Sequence, residues 1–311
     1  MRKVLFIFLL LLPAAAYAQY TPSQARAKVL SYNSESKFIN FAFVTDVHVV
    51  GKTYEKRLAG PNLENFVSLC NERYCDFAAF GGDLFSAYDA KWEEAVDDIP
   101  EAMSYFNRID IPVFMTKGNH DRNAKMTQEE TITDIQYHLL CERNTGNTEL
   151  HFNSKDPYGN YYYADYPAEK VRVIILNYFD AGIMQNPGIH GKQLDWLAKE
   201  ALCPSSFPKG WTVLMFAHYY KECGDRFWEI VDRFNSRGKG SIAAFIHGHT
   251  HLDLHTVEHG INIVGVQCGY CSENELGTPD ENAFSVFTLD TERRVLHETR
   301  IGRGSSRDFT Y

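Results

Sequence analysis

Six consecutive residues, Thr116-Lys117-Gly118-Asn119-His120-Asp121, bring an amide, an imidazole and a carboxylate together directly after a short apolar run, Pro112-Val113-Phe114-Met115. The run has the length and bounded character of a buried strand, and Lys117-Gly118 reads as the turn that ends it. Polar groups at the end of a core strand are placed for chemistry, because loops at strand ends hold side chains on a rigid scaffold. The same arrangement recurs along the chain. Phe38 to Val44 runs into Asp46-Val47-His48, where the two-residue period of a strand puts Asp46 and His48 on one side. Phe77 to Phe80 runs into Gly81-Gly82-Asp83, whose glycines let the backbone turn sharply and bring the carboxylate close to a ligand. Trp211 to Ala217 delivers His218, and Ile242 to Ile246 delivers His247-Gly248-His249-Thr250-His251.

Collected, these strand ends offer carboxylates, an amide and several imidazoles. Such a mixed nitrogen and oxygen set suits divalent Mn, Fe, Zn or Ni and lacks the thiolates of a structural zinc site. It also holds more donors than one ion can take while staying open to a substrate. Two divalent ions sharing a bridging carboxylate is the simplest arrangement that uses them all.

The elements that must position these groups alternate between strands and helices. Apolar spacing predicts helices over Leu63 to Glu72, about Lys91 to Arg108 with a weak point at Pro100, Gly191 to Leu202, and Phe227 to Phe234. Thr127 with Glu130 forms a capping box for a helix reaching about Leu140. Strands are expected at Tyr161 to Tyr163 and Val171 to Asn177, and short ones at Leu254 to Val257, Ile261 to Val266, Phe284 to Leu289 and Arg294 to Ile301. No internal repeat divides the chain, and 44% hydrophobic content over 311 residues is enough for one large α/β domain.

The amino terminus reads differently. Arg2 and Lys3, the apolar stretch Val4 to Leu12, and Ala16-Tyr17-Ala18 have the three-part pattern of a signal peptide over 1–18, cleaved before Gln19. The expectation is an exported protein, periplasmic or secreted, with no membrane span once the signal is removed. Residues 19–36, polar and without a clear period, read as a linker into a catalytic domain over 37–311. Without Arg2 and Lys3 the chain carries 29 basic against 40 acidic residues, a formal charge of −11. That argues against an extended nucleic-acid surface, while a metal site can still attract a small phosphorylated substrate through local positive charge. Seven cysteines leave at least one without an intramolecular partner; buried thiols, or one or two disulfides, fit them better than a zinc site at Cys268-x-x-Cys271.

The order D-x-H, G-D, G-N-H-D, H, G-H-x-H, from Asp46 to His251, resembles the calcineurin-like metallophosphoesterase family. The resemblance implies two packed mixed β-sheets flanked by helices. It implies that Asp46, His48, Asp83 and His251 hold one metal and that Asp83, Asn119, His218 and His249 hold the second, with Asp83 bridging. His120 then sits beside the substrate phosphate as a catalytic residue that is not a ligand, and Asp121 orients it. The chemistry implied is hydrolysis of a phosphate mono- or diester by a metal-bridged hydroxide. The competing expectation is a non-catalytic binding or scaffold protein of the same fold, stabilised by its metals. His138, His151, His255, His259 and His297 stand outside the blocks, and His190 and His247 lie near site elements with no spacing that assigns them a role.

Overall fold

β1 (Phe38–Val44) is apolar at almost every position because it is covered on both faces; only Phe38 at its start is half-exposed. The computed structural model describes residues 20–32, 37–49, 58–84, 100–122, 134–142, 145–180 and 187–311. β1 pairs in parallel with β2 (Phe77–Phe80), and β2 in parallel with β3 (Val113–Met115). On its other side β1 runs antiparallel to β11 (Ala283–Asp290), and β12 (Val295–Gly302) and β13 (Arg307–Thr310) extend the sheet as an antiparallel meander. The order of this six-stranded sheet is β13-β12-β11-β1-β2-β3.

A second sheet has seven strands in the order β4-β5-β6-β7-β8-β10-β9. Its members are β4 (His151–Phe152), β5 (Tyr162–Tyr166), β6 (Val171–Ile175), β7 (Trp211–Phe216), β8 (Gly240–His247), β9 (Leu254–Glu258) and β10 (Ile261–Gly265). β6, β7, β8 and β10 run parallel, while β4, β5 and β9 are antiparallel to their neighbours. Both sheets are therefore mixed, as the resemblance implied. Ile39, Phe41, Phe43, Phe77 and Phe114 face Val173, Ile175, Leu214, Phe216 and Ile246 across the interior. Phe41 centres that layer, stacked on Phe77 and Phe287 at 4.9 and 5.0 Å and edge-on to Phe216 at 5.5 Å.

Helices close the outer faces. α1 (Pro22–Tyr32), α2 (Gly60–Asn71), the helix α3 over 100–106 and α4 (Asp134–Glu142) cover the six-stranded sheet. α5 (Gly191–Trp196), which continues as a π-helical turn over Leu197–Ala201, and α6 (Asp225–Ser236) cover the seven-stranded one. α6 shows why the sequence spacing was legible there: Phe227, Ile230, Val231 and Phe234 form one buried stripe on an otherwise polar helix.

The expected linker over 19–36 is corrected. Pro22–Tyr32 is a helix whose Ala25 and Val29 are fully buried in the core, and Tyr20 bridges to Ile301. Two small apolar residues four apart make a contact but no visible period, so the polar composition hid the helix. The sequence pattern also left β4 and β13 unassigned. The signal peptide over 1–18, the Thr127–Glu130 capping box and residues 91–99 of the helix expected over Lys91 to Arg108 lie outside the described residues. Cys70, Cys75, Cys203, Cys223, Cys268 and Cys271 are free thiols, all but Cys203 buried. No helix among the described residues is long and apolar enough to cross a membrane.

The corrected role of α1 predicts a stability effect. Val29→Asp places an unpaired carboxylate in the core and lowers unfolding stability by about 2–4 kcal/mol, read from urea denaturation. A change within about 0.5 kcal/mol, normal for an exposed position, restores the linker.

Candidate metal centre

The seven parallel strands of the two sheets end at one edge, and that edge is where the polar strand ends meet. β1 leads to Asp46 and His48, β2 to Asp83, β3 to Asn119 and His120, β7 to His218, and β8 to His249 and His251. Ligands in open parallel sheets bind beyond the carboxyl ends of the strands for this reason.

The backbone turns abruptly at each of these ends. Asp46, His48, Asp83, His249 and His251 all have left-handed φ values, of 51°, 46°, 59°, 65° and 56°. For residues with a side chain that conformation is costly and persists only where the surroundings enforce it. Two glycines supply part of the enforcement by permitting contact. A Cβ on Gly118 would lie 2.1 Å from Asp83 Oδ1 and 2.3 Å from Asp83 N, and one on Gly248 would lie 2.1 Å from Asp46 Oδ2. The glycines of G-N-H-D and G-H-x-H are therefore required by close approach.

Asp121 ties the turns together. Its carboxylate accepts from the backbone N–H groups of Asp83 at 3.0 Å, Leu84 at 2.6 Å and Gly118 at 2.8 Å, while His120 N donates to Asp83 Oδ1 at 2.8 Å. Burial, reinforced by repulsion from Asp83, raises the Asp121 pKa to about 6 against the opposing backbone bonds. These contacts fix the positions of Asp83 and His120 through the main chain.

The donor atoms converge in three overlapping groups: Asp46, His48 and His251; His48, Asp83 and His120; and Asp83, His218 and His249. Within each group the candidate atoms lie within 4.8 Å of one another. His251 Nε2 is 3.2 Å from Asp46 Oδ1 and 3.3 Å from His48 Nε2. His218 Nε2 is 3.3 Å from Asp83 Oδ2 and 3.1 Å from Asn119 Oδ1, and His249 Nδ1 is 3.0 Å from Asn119 Oδ1 and 3.2 Å from His218 Nε2. Donors about 2.1 Å from a shared ion, at tetrahedral or octahedral angles, lie about 3.0–3.4 Å apart. The observed spacings are those of ligand pairs. The second nitrogen of His218 donates to Gly81 O at 2.8 Å, which leaves Nε2 with its lone pair for a metal.

The electrostatics agree. Burial alone would raise the pKa of Asp83, yet His218, His120 and His48 hold it below the ordinary carboxylate range. Burial would lower that of His218, but Asp83 overrides it and lifts His218 to about 10. Desolvation depresses His48 and His249 to about 4. The pocket thus holds a buried carboxylate pair that demands positive charge, which His218 supplies, while His48 and His249 are kept neutral as metal ligands must be.

Every residue expected from the sequence reaches this edge. His120 stands edge-on to His48 with ring centres 4.7 Å apart, and its Nε2 is 3.9 Å from Asp83 Oδ2. Two neighbours were not singled out as site residues. Thr45 Oγ1 donates to Asp46 Oδ2 at 2.6 Å, and His249 N donates to the same oxygen at 2.9 Å. Tyr270 lies edge-on to both His48 and His251, each at 5.9 Å, with its hydroxyl 3.4 Å from His251 Nδ1. The available signal for Tyr270 was its place after β10, the strand parallel to β8. Tyr219 packs against the His249 ring at 4.6 Å.

A profile of the calcineurin-like phosphoesterases matches residues 39–253, and the chain belongs to that family. It is a metal-dependent phosphoesterase, of a family that works with a dinuclear metal centre. Its fold is similar to that of a dimetal phosphatase from Danio rerio, with a TM-score of 0.63 and 15% identity over 89% of this chain and 100% of that one. GAP50, the anchor in the inner membrane complex of Plasmodium, is more distant, at 0.49 and 12% over 89% of each chain. So is a 5′-nucleotidase from Candida albicans, at 0.48 and 16% over 83% of this chain and 53% of that one. No curated protein matches the chain.

The close approach at Gly118 gives a direct test. Gly118→Ala forces the turn away from Asp83, so bound metal per chain, measured by elemental analysis after dialysis, is expected to fall below half of wild type. Stability drops by about 1–3 kcal/mol, as for other overpacked sites. Unchanged metal content would show that the turn does not position Asp83.

Proposed function

We propose that this is an exported phosphohydrolase that cleaves small phosphate mono- or diesters with two divalent ions, Mn, Fe, Zn or Ni. One ion is assigned to Asp46, His48, Asp83 and His251, the other to Asp83, Asn119, His218 and His249. The observation that carries the assignment is the position of Asp83, whose carboxylate belongs to two convergent donor groups at once. Export rests on the charged start, apolar stretch and small-residue end of residues 1–18.

When bound, the ions supply charge neutralisation for phosphoryl oxygens and an acidified water. The chain does the rest. Asp121 holds the Asp83 and Gly118 turns, and the Gly118–His120 backbone in turn places the His120 ring at the rim of the centre, where it is 12% exposed. A proton on His120 is there available to a departing alkoxide. Asn119 adds a neutral oxygen donor, which limits the negative charge presented to an anionic substrate. Phe179 and Tyr219 pack against the rings of His218 and His249 and exclude water from their outer faces.

The test compares p-nitrophenyl phosphate with bis-p-nitrophenyl phosphate on metal-loaded protein, with alkyl esters of each class alongside. Asp83→Ala is expected to abolish both activities. His120→Ala retains its metals but lowers kcat about 10²–10⁴-fold on alkyl esters. The loss is much smaller on p-nitrophenyl esters, whose leaving group departs without a proton. Equal losses on both would remove the proton-donor role, and inactivity of the wild type with every metal would remove the hydrolase reading.

A further inference from the structure

Of the seven parallel strands that end at the site edge, five deliver the proposed ligands and β10 delivers Tyr270. The remaining one, β6, delivers Asn177 to Asp180, and there the structure opens a cavity of about 480 Å³. Its walls come from the start of α4, the turn over 156–159 and the segment around His190. Two links join it to the metal centre. Phe179, between the cavity residues Asn177 and Asp180, packs on the ring of His218 at 6.1 Å. Asp134 on the opposite wall takes the ammonium of Lys117 at 2.5 Å, directly before the Gly118 turn.

The side chains in this cavity are organised rather than merely polar. Asp180 accepts from His190 N and from Gln193 Nε2, both at 2.8 Å, and its other oxygen holds His190 Nδ1 at 3.0 Å. Gln193 is itself fixed by Asn177 N at 2.9 Å and by donating to Asn177 O at 2.8 Å. With Nδ1 engaged by the carboxylate, His190 presents Nε2 as its remaining hydrogen-bonding atom. Asp156, with Lys192 at 3.8 Å, supplies a second carboxylate, and Tyr158 offers a ring that is 46% exposed.

We propose that this cavity binds the alcohol portion of the substrate and that this portion is a hydroxyl-rich ring such as a sugar. The inference rests on the phosphoesterase reading above and adds the substrate class. Fixed carboxylates accept from neighbouring hydroxyls in pairs, His190 and Lys192 add further partners, and an exposed aromatic face covers the C–H surface of a ring. Three carboxylates against Lys192 and the Lys117 ammonium exclude a second anionic group here, which leaves the phosphate at the metal centre. A pocket of this volume lies in the range used for small organic ligands.

The experiment measures kcat/KM on ribose 5-phosphate and on methyl phosphate, whose alcohol is too small to fill the cavity, for metal-loaded wild type, His190→Gln and Tyr158→Ala. Both substitutions are expected to lower kcat/KM on the sugar ester about tenfold or more, mainly through KM, and to change methyl phosphate less than about twofold. Parallel losses on both substrates, or no loss on either, overturn the proposal. Saturation-transfer NMR with free ribose and with choline, without substrate or added metal, supplies an independent readout. Ribose signal that weakens in His190→Gln supports the cavity assignment even if no ester is hydrolysed, in which case only the hydrolase reading fails. Choline binding in place of ribose overturns it in favour of a cation pocket.

Discussion

The structure depends on one fully buried carboxylate, that of Asp83. It is held at a left-handed turn by a backbone hydrogen bond to Asp121 and by the absence of a side chain at Gly118. Around it stand His48, His120 and His218, with Asp46 and its imidazoles one step further out. Removing a carboxylate from water is expensive unless positive charge accompanies it. In the absence of metal that charge falls to His218, which Asp83 keeps protonated. A divalent ion on either side supplies it more fully and releases the imidazole nitrogens to act as donors.

The fold is arranged to create this demand and to satisfy it. Two packed sheets bring their parallel strands to a common edge, and the aromatic layer around Phe41 locks the sheets against each other. Five of the ten non-glycine residues with positive φ among the described residues are proposed ligands. Left-handed backbone of this kind costs about 1–3 kcal/mol for each residue. Its concentration at one edge says that the core holds a centre whose compensation comes from what binds there.

Much of this was legible in the chain because each ligand sits at a fixed offset from a continuous apolar run. Doubly covered strands such as Phe38–Val44 and Trp211–Phe216 write themselves as unbroken hydrophobic stretches, so their ends could be found and the polar residues after them compared. Where the signal weakened, so did the inference. α1 buries only Ala25 and Val29 and has almost no amphipathic pattern to detect. Tyr270 lies beyond the last histidine block, so nothing in the motif order points to it, although the end of β10 makes its approach to His48 and His251 natural. The partnership of Asp180 and His190 spans ten residues and a parallel bridge between Phe179 and Gly188. No local period encodes a contact of that kind. The resemblance assigned Asp121 to orient His120; in the structure its carboxylate gathers three backbone N–H groups.

The central claim is that Asp83 joins two metals. Its most direct test is electron paramagnetic resonance of the protein titrated with Mn(II), with bound metal counted in the same samples. The account predicts saturation at two ions per chain and an exchange-coupled spectrum that disappears in Asp83→Ala. A wild-type protein that saturates with one ion, or that shows only the sextet of isolated ions at full occupancy, would contradict it.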